Sequence, residues 1–152
     1  MIRRILLALL LTILAYGVWW LFLRSPEQQI LAAQEHFLAV VEDRDWEKVK
    51  DTFASDFATF GGMNRDSIMP ELDKALNGFV TLDIEARETT IQASRDQGVC
   101  RQVIRVTGLG SQIAIAVRDR ANQLRSPCIF HWRKTGGWPW QWQLTQVHHD
   151  EL

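Results

Sequence analysis

Glu88 is the first charged residue on the inward set of a segment in which Leu82, Ile84 and Ala86 alternate with Thr81, Asp83, Glu85 and Arg87. A carboxylate carried into an apolar interior has its pKa raised and can act as a general base. Gln102, on the inner set of the next segment, would face it as an orienting group. The chemistry that suits this pair is proton transfer or dehydration of a small apolar molecule. The competing reading is a bulge near residues 87–89, which turns Glu88 outward and Ile91 inward. Near the C-terminus, Phe130, Trp132, Trp138, Trp140 and Trp142 form an aromatic series. Such a wall either lines an apolar ligand pocket, with indole N–H groups as donors, or fills the core.

The histidines give no metal site. His148 and His149 are adjacent and point to opposite faces of a strand, and His36 and His131 have no cysteine or carboxylate at ligand spacing. No GxSxG, HExxH, CxxC or phosphate-binding glycine loop occurs, so neither cofactor nor metal is expected. Cys100 and Cys128 both fall on inner faces. They read either as a disulfide, worth roughly 3–4 kcal/mol by loop entropy, or as two buried free thiols.

The elements that hold these residues occupy only part of the 152-residue chain. Ile5 to Leu23 is 19 residues without a charge, about 28 Å of helix against a hydrocarbon core of roughly 30 Å. Arg3 and Arg4 precede it and Arg24 follows, favouring a cytoplasmic N-terminus, while Trp19 and Trp20 fall at the far headgroup level. Residues 1–24 thus read as a cytoplasmic N-terminus and single-pass anchor in the cell inner membrane, and 25–152 as a periplasmic or other extracytoplasmic domain. A signal peptide cleaved after Ala15-Tyr16-Gly17 is the alternative, but it leaves an apolar Val18 to Leu23 stub. No cysteine follows the run, which excludes a lipoprotein.

The whole-chain net charge of −1 hides a domain of 14 basic and 18 acidic residues. Residues 25–99 hold 7 basic and 15 acidic residues, and 100–152 hold 7 and 3. This is no nucleic-acid binder; it is a chain with a charge polarity along its sequence.

Ser25-Pro26-Glu27-Gln28 opens a helix with a capping box. Ile30, Ala33, Phe37 and Val40/Val41 carry its stripe to about Glu42. Asp45 caps a second helix with the stripe Trp46, Val49, Phe53 and Phe57. After Gly61-Gly62 a third runs from about Ser67 to Asn77, with Pro70 in its first turn and Gly78 at its end. Strands follow at 81–87 and 99–107, the second with Cys100, Gln102, Ile104 and Val106 inward. Residues 109–126 fit either a helix or a strand. In the last hairpin, a three-residue loop Thr135-Gly136-Gly137 with a left-handed glycine sets Trp140 opposite Trp132, Trp142 opposite Phe130 and Leu144 opposite Cys128. The fold class is α+β: three helices packed in a curved sheet of about four antiparallel strands, a cone-shaped roll preceded by the transmembrane helix.

EHFLAVVEDRDWEKVKDTFASDF (35–57), the glycine break, a short third helix and a meander closing on Trp142-Gln143-Leu144-Thr145-Gln146-Val147 resemble the nuclear transport factor 2-like superfamily over about residues 26–149. This superfamily contains ketosteroid isomerases, SnoaL-like polyketide cyclases and many non-enzymatic domains. The resemblance implies a conical fold. It also places the isomerases' oxyanion-binding tyrosine at Phe37 and their general-base aspartate near Gly61. Neither residue can do that work. The expectation is therefore a membrane-anchored binding or assembly module, in the manner of bitopic envelope-complex subunits. Its partners would be a second copy through the sheet's outer face, another envelope protein, or a small apolar ligand held by Phe37, Gln102, Phe130, Trp132, Trp140 and Trp142. The alternative is an isomerase, dehydratase or cyclase using Glu88 and Gln102.

Overall fold

The computed structural model describes residues 2–22, 24–59 and 61–151, with side chains at all of these except 2–5 and 19–22. The expected roles of the Arg3, Arg4, Trp19 and Trp20 side chains therefore lie outside the described residues. Helix α1 (Ile2–Phe22) carries exposed side chains over Leu6–Tyr16. Among the residues with described side chains no helix is long and apolar enough to cross a membrane; those of α1 run only from Leu6 to Val18.

Helix α2 (Pro26–Glu42) starts where the sequence places it. Ser25 Oγ accepts from the Gln28 N–H at 3.4 Å and Pro26 takes the first helical position. Ile30, Phe37, Val40 and Val41 are buried along one stripe, and Gln29 and Gln34 are buried with them. Asp45 caps α3 (Trp46–Thr52), but this helix stops seven residues on. The chain then becomes strand β1 (Phe53–Thr59), so the expected continuation of the helix through Phe53 and Phe57 is corrected. The strand pairs with β5 irregularly: Phe53 lies opposite Leu144 and Ala58 opposite Gln146, five residues against two. Residues four apart share a face in a strand as they do on a helix, so the spacing of Phe53 and Phe57 fits both elements.

Helix α4 (Arg65–Leu76) begins earlier than Ser67 because Asn64 is its cap. The Asn64 side chain accepts from the Asp66 and Ser67 N–H groups, and the Ser67 hydroxyl accepts from the Asn64 N–H. Pro70 consequently sits in the second turn, not the first, where its missing N–H leaves the Asp66 carbonyl without its helical donor. Strands β2 (Phe79–Ala93) and β3 (Gln97–Gly110) form a long antiparallel pair. Residues 112–123 form helix α5, capped by Ser111, with Ala114 buried and Val117 and Ala121 against the core. Strands β4 (Cys128–Lys134) and β5 (Trp142–His148) complete a five-stranded mixed sheet ordered β1-β5-β4-β3-β2. Among the described residues beyond α1 there are thus four helices and five strands, with β1 parallel to β5, in place of the expected three helices and about four antiparallel strands.

In the last hairpin the expected face is right and the expected register is not. Trp132 lies opposite Leu144 and Lys134 opposite Trp142, so even-numbered residues still share a face, but the loop is 135–141. A bulge then sets Phe130 opposite Val147. Pro139 cannot donate to a ladder, and Gln141 closes the loop instead: its carbonyl accepts from the Thr135 N–H at 2.8 Å and its side chain from the Trp138 N–H at 3.1 Å. Neither Gly136 nor Gly137 has a positive φ. At Gly136 the Gln141 amide packs into the space a Cβ would take, so a side chain there would have to displace that amide.

The sheet curls around α2. At Gly98, in β3, a side chain would fall well inside van der Waals contact with Ile30 Cδ1, so α2 rides directly on the backbone at this point. The two charge halves of the sequence meet across the sheet at two places. Glu85 pairs with Arg105 across β2 and β3, and Arg133 of β4 grips Asp56 of β1 through two bonds of 2.9 and 2.6 Å.

Candidate functional site

Phe37 from α2, Phe53 and Phe57 from β1, Ile68 and Leu72 from α4, and Phe130 and Val147 from the sheet surround a cavity of about 410 Å³. Each arrives by the apolar stripe of its own element. The Phe53 and Phe57 rings stack at 4.2 Å, and Phe37 meets Phe53 and Phe130 at 5.9 and 6.1 Å. Thr59, Gly61, Met63, His148 and His149 complete the lining. Phe37 and Gly61, the positions matched to an isomerase's tyrosine and aspartate, do converge on one cavity. They bring to it a phenyl ring and a bare backbone.

The polar candidates lie elsewhere. Between Arg87, opposite Val103, and Thr90, opposite Arg101, β2 carries one extra residue. Glu88 there adopts φ 51° and is exposed, beside Arg105 and Arg125 in an outer groove. The bulge reading of Glu88 thus holds, and its reading as an interior base is corrected. Thr89 takes the inner place and accepts from Gln102 Nε2 at 3.1 Å. Gln102 is 1% exposed, with Oε1 unsatisfied, and does not line the cavity.

The expected aromatic wall divides. Phe130 lines the apolar cavity, whereas Trp132 and Trp142 point to the other side of α2, where their indoles donate to Gln34 Oε1 and Gln29 Oε1, both at 3.0 Å. With Trp140, Pro139, Arg24, His36, Lys48 and Asp51 they line a second, more polar cavity of about 440 Å³. Trp138 and Trp140 are 49% and 60% exposed and stack on each other at 5.1 Å.

His148 binds Asp150 through Nε2 at 2.7 Å. With Val147 opposite Phe130, strand alternation turns the His148 ring to the opposite face of the sheet. Burial, the charge of Arg101 and then this ring lower the His131 pKa. His149 is buried, its Nε2 on the Ser126 carbonyl at 2.9 Å and its Nδ1 accepting from the Glu151 N–H at 3.1 Å. The Glu151 carboxylate accepts from the Ser126 hydroxyl and from the Arg125 and Ser126 N–H groups, which holds its pKa at about 2. These bonds seal the C-terminal segment against the chain entering β4.

Cys100 and Cys128 are free thiols. Cys100 lies opposite Phe130 and Cys128 opposite Gln102, a diagonal relation across β3 and β4. Burial pushes their pKa values up to about 12 and about 11. No group of three or more metal-ligating side chains occurs among the described residues. Sequence reasoning missed Phe53, Phe57, Ile68, Leu72 and Val147 as cavity residues. Each was visible as a stripe member, but nothing in the spacing shows that stripes from α2, β1 and α4 leave a gap where they meet.

No protein-family model matches the chain, and no curated protein is similar to it in sequence. Solved structures do share its fold. A nuclear transport factor 2-like protein of unknown function from Pseudomonas putida KT2440 superposes with a TM-score of 0.60 at 16% identity, over 80% of this chain and 83% of that one. A candidate scytalone dehydratase from Novosphingobium aromaticivorans gives 0.59 at 15% identity, over 80% of each. Bd1075 of Bdellovibrio bacteriovorus gives 0.59 at 15% identity, and there the chain spans 79% of itself but only 38% of that protein. The chain has the nuclear transport factor 2-like fold.

Proposed function

We propose that the protein is a membrane-tethered, extracytoplasmic module that binds a small apolar molecule in its cone, without transforming it. The carrying observation is the half-open pocket of about 410 Å³ lined by Phe37, Phe53, Phe57, Ile68, Leu72 and Phe130, on which neither Glu88 nor Gln102 converges. A pocket of this size with an aromatic lining removes most of a bicyclic ligand's surface from water, at about 25 cal/mol per Å² of apolar area. An isomerase or dehydratase needs in addition a base and an oxyanion donor placed at the ligand.

The tether is the uncharged run Ile5 to Leu23, with its arginines as flanks. The exposed side chains of Leu6–Tyr16 on α1 support it, since such a surface is costly in water. The test is titration of the full-length protein in phosphatidylcholine nanodiscs with 2-naphthol, against empty nanodiscs. Saturable binding that weakens at least tenfold in Ile68→Trp supports the reading. Absence of saturable binding to the wild type overturns it.

A further inference from the structure

We propose that the loop 135–141 docks in the headgroup layer of the membrane that holds α1, with the stacked Trp138 and Trp140 as its interfacial anchors. The inference rests on α1 being a tether. It adds a second, separate attachment and fixes how the cone sits on the bilayer.

The geometry starts at Gln29. Its Nε2 donates to the Arg24 carbonyl at 2.8 Å, two residues beyond the end of α1. Its Oε1 accepts from the Trp142 indole at 3.0 Å and from Lys134 Nζ at 3.3 Å. Lys134 is the last residue of β4 and Trp142 the first of β5, so both feet of the loop are tied to the chain at residue 24. Arg24, Pro139 and Trp140 also line one cavity. Whatever direction α1 takes from Phe22, the base of the Trp loop stays beside the junction.

The distances leave little freedom. From Phe22 to Arg24 the chain reaches at most about 7 Å. The polar zone on one side of a bilayer is about 5–8 Å deep. If α1 fills the hydrocarbon core, Arg24 lies in that zone and the loop beside it does too. The loop's chemistry suits that depth. Two indoles exposed at 49% and 60% are expensive in water and favoured among headgroups, where the ring is shielded and its N–H stays wet. Pro139 between them removes a backbone donor that the interface would have to satisfy. Arg24 lines the cavity beside the loop and Lys134 is the loop's first foot, so both positive charges lie at this end of the domain.

The test uses the full-length protein in vesicles of phosphatidylcholine, plain or brominated at acyl carbons 6 and 7, with tryptophan emission as readout. Trp19→Phe/Trp20→Phe removes the indoles next to α1's end, leaving five of the seven tryptophans. In that protein, brominated lipid should still quench about two-fifths of the emission, the share of two indoles among five. Adding Trp138→Phe/Trp140→Phe should abolish that quenching with an unchanged far-ultraviolet circular dichroism spectrum. No quenching in Trp19→Phe/Trp20→Phe, in a protein that resists carbonate extraction at pH 11, overturns the docked loop and leaves the tether standing. Release of the wild type by carbonate overturns both.

Discussion

The indole Nε1 of Trp142 donates to Gln29 Oε1 at 3.0 Å, joining the first residue of β5 to the first turn of α2. Gln29 is 8% exposed, so truncating it strands a buried indole donor and the Arg24 carbonyl together. Gln29→Ala should cost about 1–3 kcal/mol and lower the thermal midpoint by several degrees. Denaturation followed by circular dichroism in detergent reads this, and an unchanged midpoint would show that water replaces the amide.

At Gly98 the Ile30 side chain of α2 packs straight onto the β3 backbone. Gly98→Ala should destabilise by about 1–3 kcal/mol through overpacking. Shortening the neighbour with Ile30→Val should recover part of that loss, so the double mutant should be less damaged than the sum of the singles. Strict additivity would refute the contact.

The Glu151 carboxylate has a folded pKa of about 2 against an ordinary 4.5, lowered by the Ser126 hydroxyl and the N–H groups of Ser126 and Arg125. A depressed carboxylate contributes stability that is full above its unfolded value and is lost as pH falls through the folded one. The thermal midpoint of wild type relative to Glu151→Gln should therefore be highest near neutrality and shrink between about pH 4.5 and about pH 2. A difference that stays constant across that window counts against the carboxylate's role.

Cys100 and Cys128, with pKa values of about 12 and about 11, carry almost no thiolate at neutral pH. Native protein at pH 8 should resist iodoacetamide, urea-unfolded protein should take up two labels, and the intact mass should be the same with and without reductant. A 2 Da difference would mean that the strands shift to bond them.

Glu88 holds φ 51°, a conformation costly for a side chain with a Cβ. Glu88→Gly should leave 2-naphthol binding unchanged and stability equal or higher by up to about 1 kcal/mol. Weakened binding would return Glu88 to the cone.

What the sequence revealed and concealed follows from the range of the interactions. Ser25 and Asp45 as caps, the α2 stripe and the inner set Cys100, Gln102, Ile104 and Val106 are local patterns, and all appear as read. Phe53 and Phe57 defeated the reading because a spacing of four fits a strand face as well as a helical stripe, and what decides for the strand is pairing with β5, about ninety residues away. In the final hairpin burial fixed the parity, but the register depended on Gln141 reaching back to Thr135 and Trp138. The cavity was harder still. Its members were legible as apolar, whereas the space between them is a property of how α2, β1 and α4 meet.

The bulge at Glu88 bears on the tethering proposed for α1. β2 is fifteen residues long and forms one open margin of the sheet, and an uninterrupted margin is a template on which a neighbouring chain can polymerise. The extra residue breaks that template in two, and Asp83, Glu85 and Arg87 place charges along the longer piece. At the opposite margin the bulged β1, carrying Asp56, offers an equally poor template. Under the proposed tether, copies confined to one plane would meet far more often than copies in free solution. Both margins of this sheet are shaped so that such meetings do not end in a shared, irreversible β-stack.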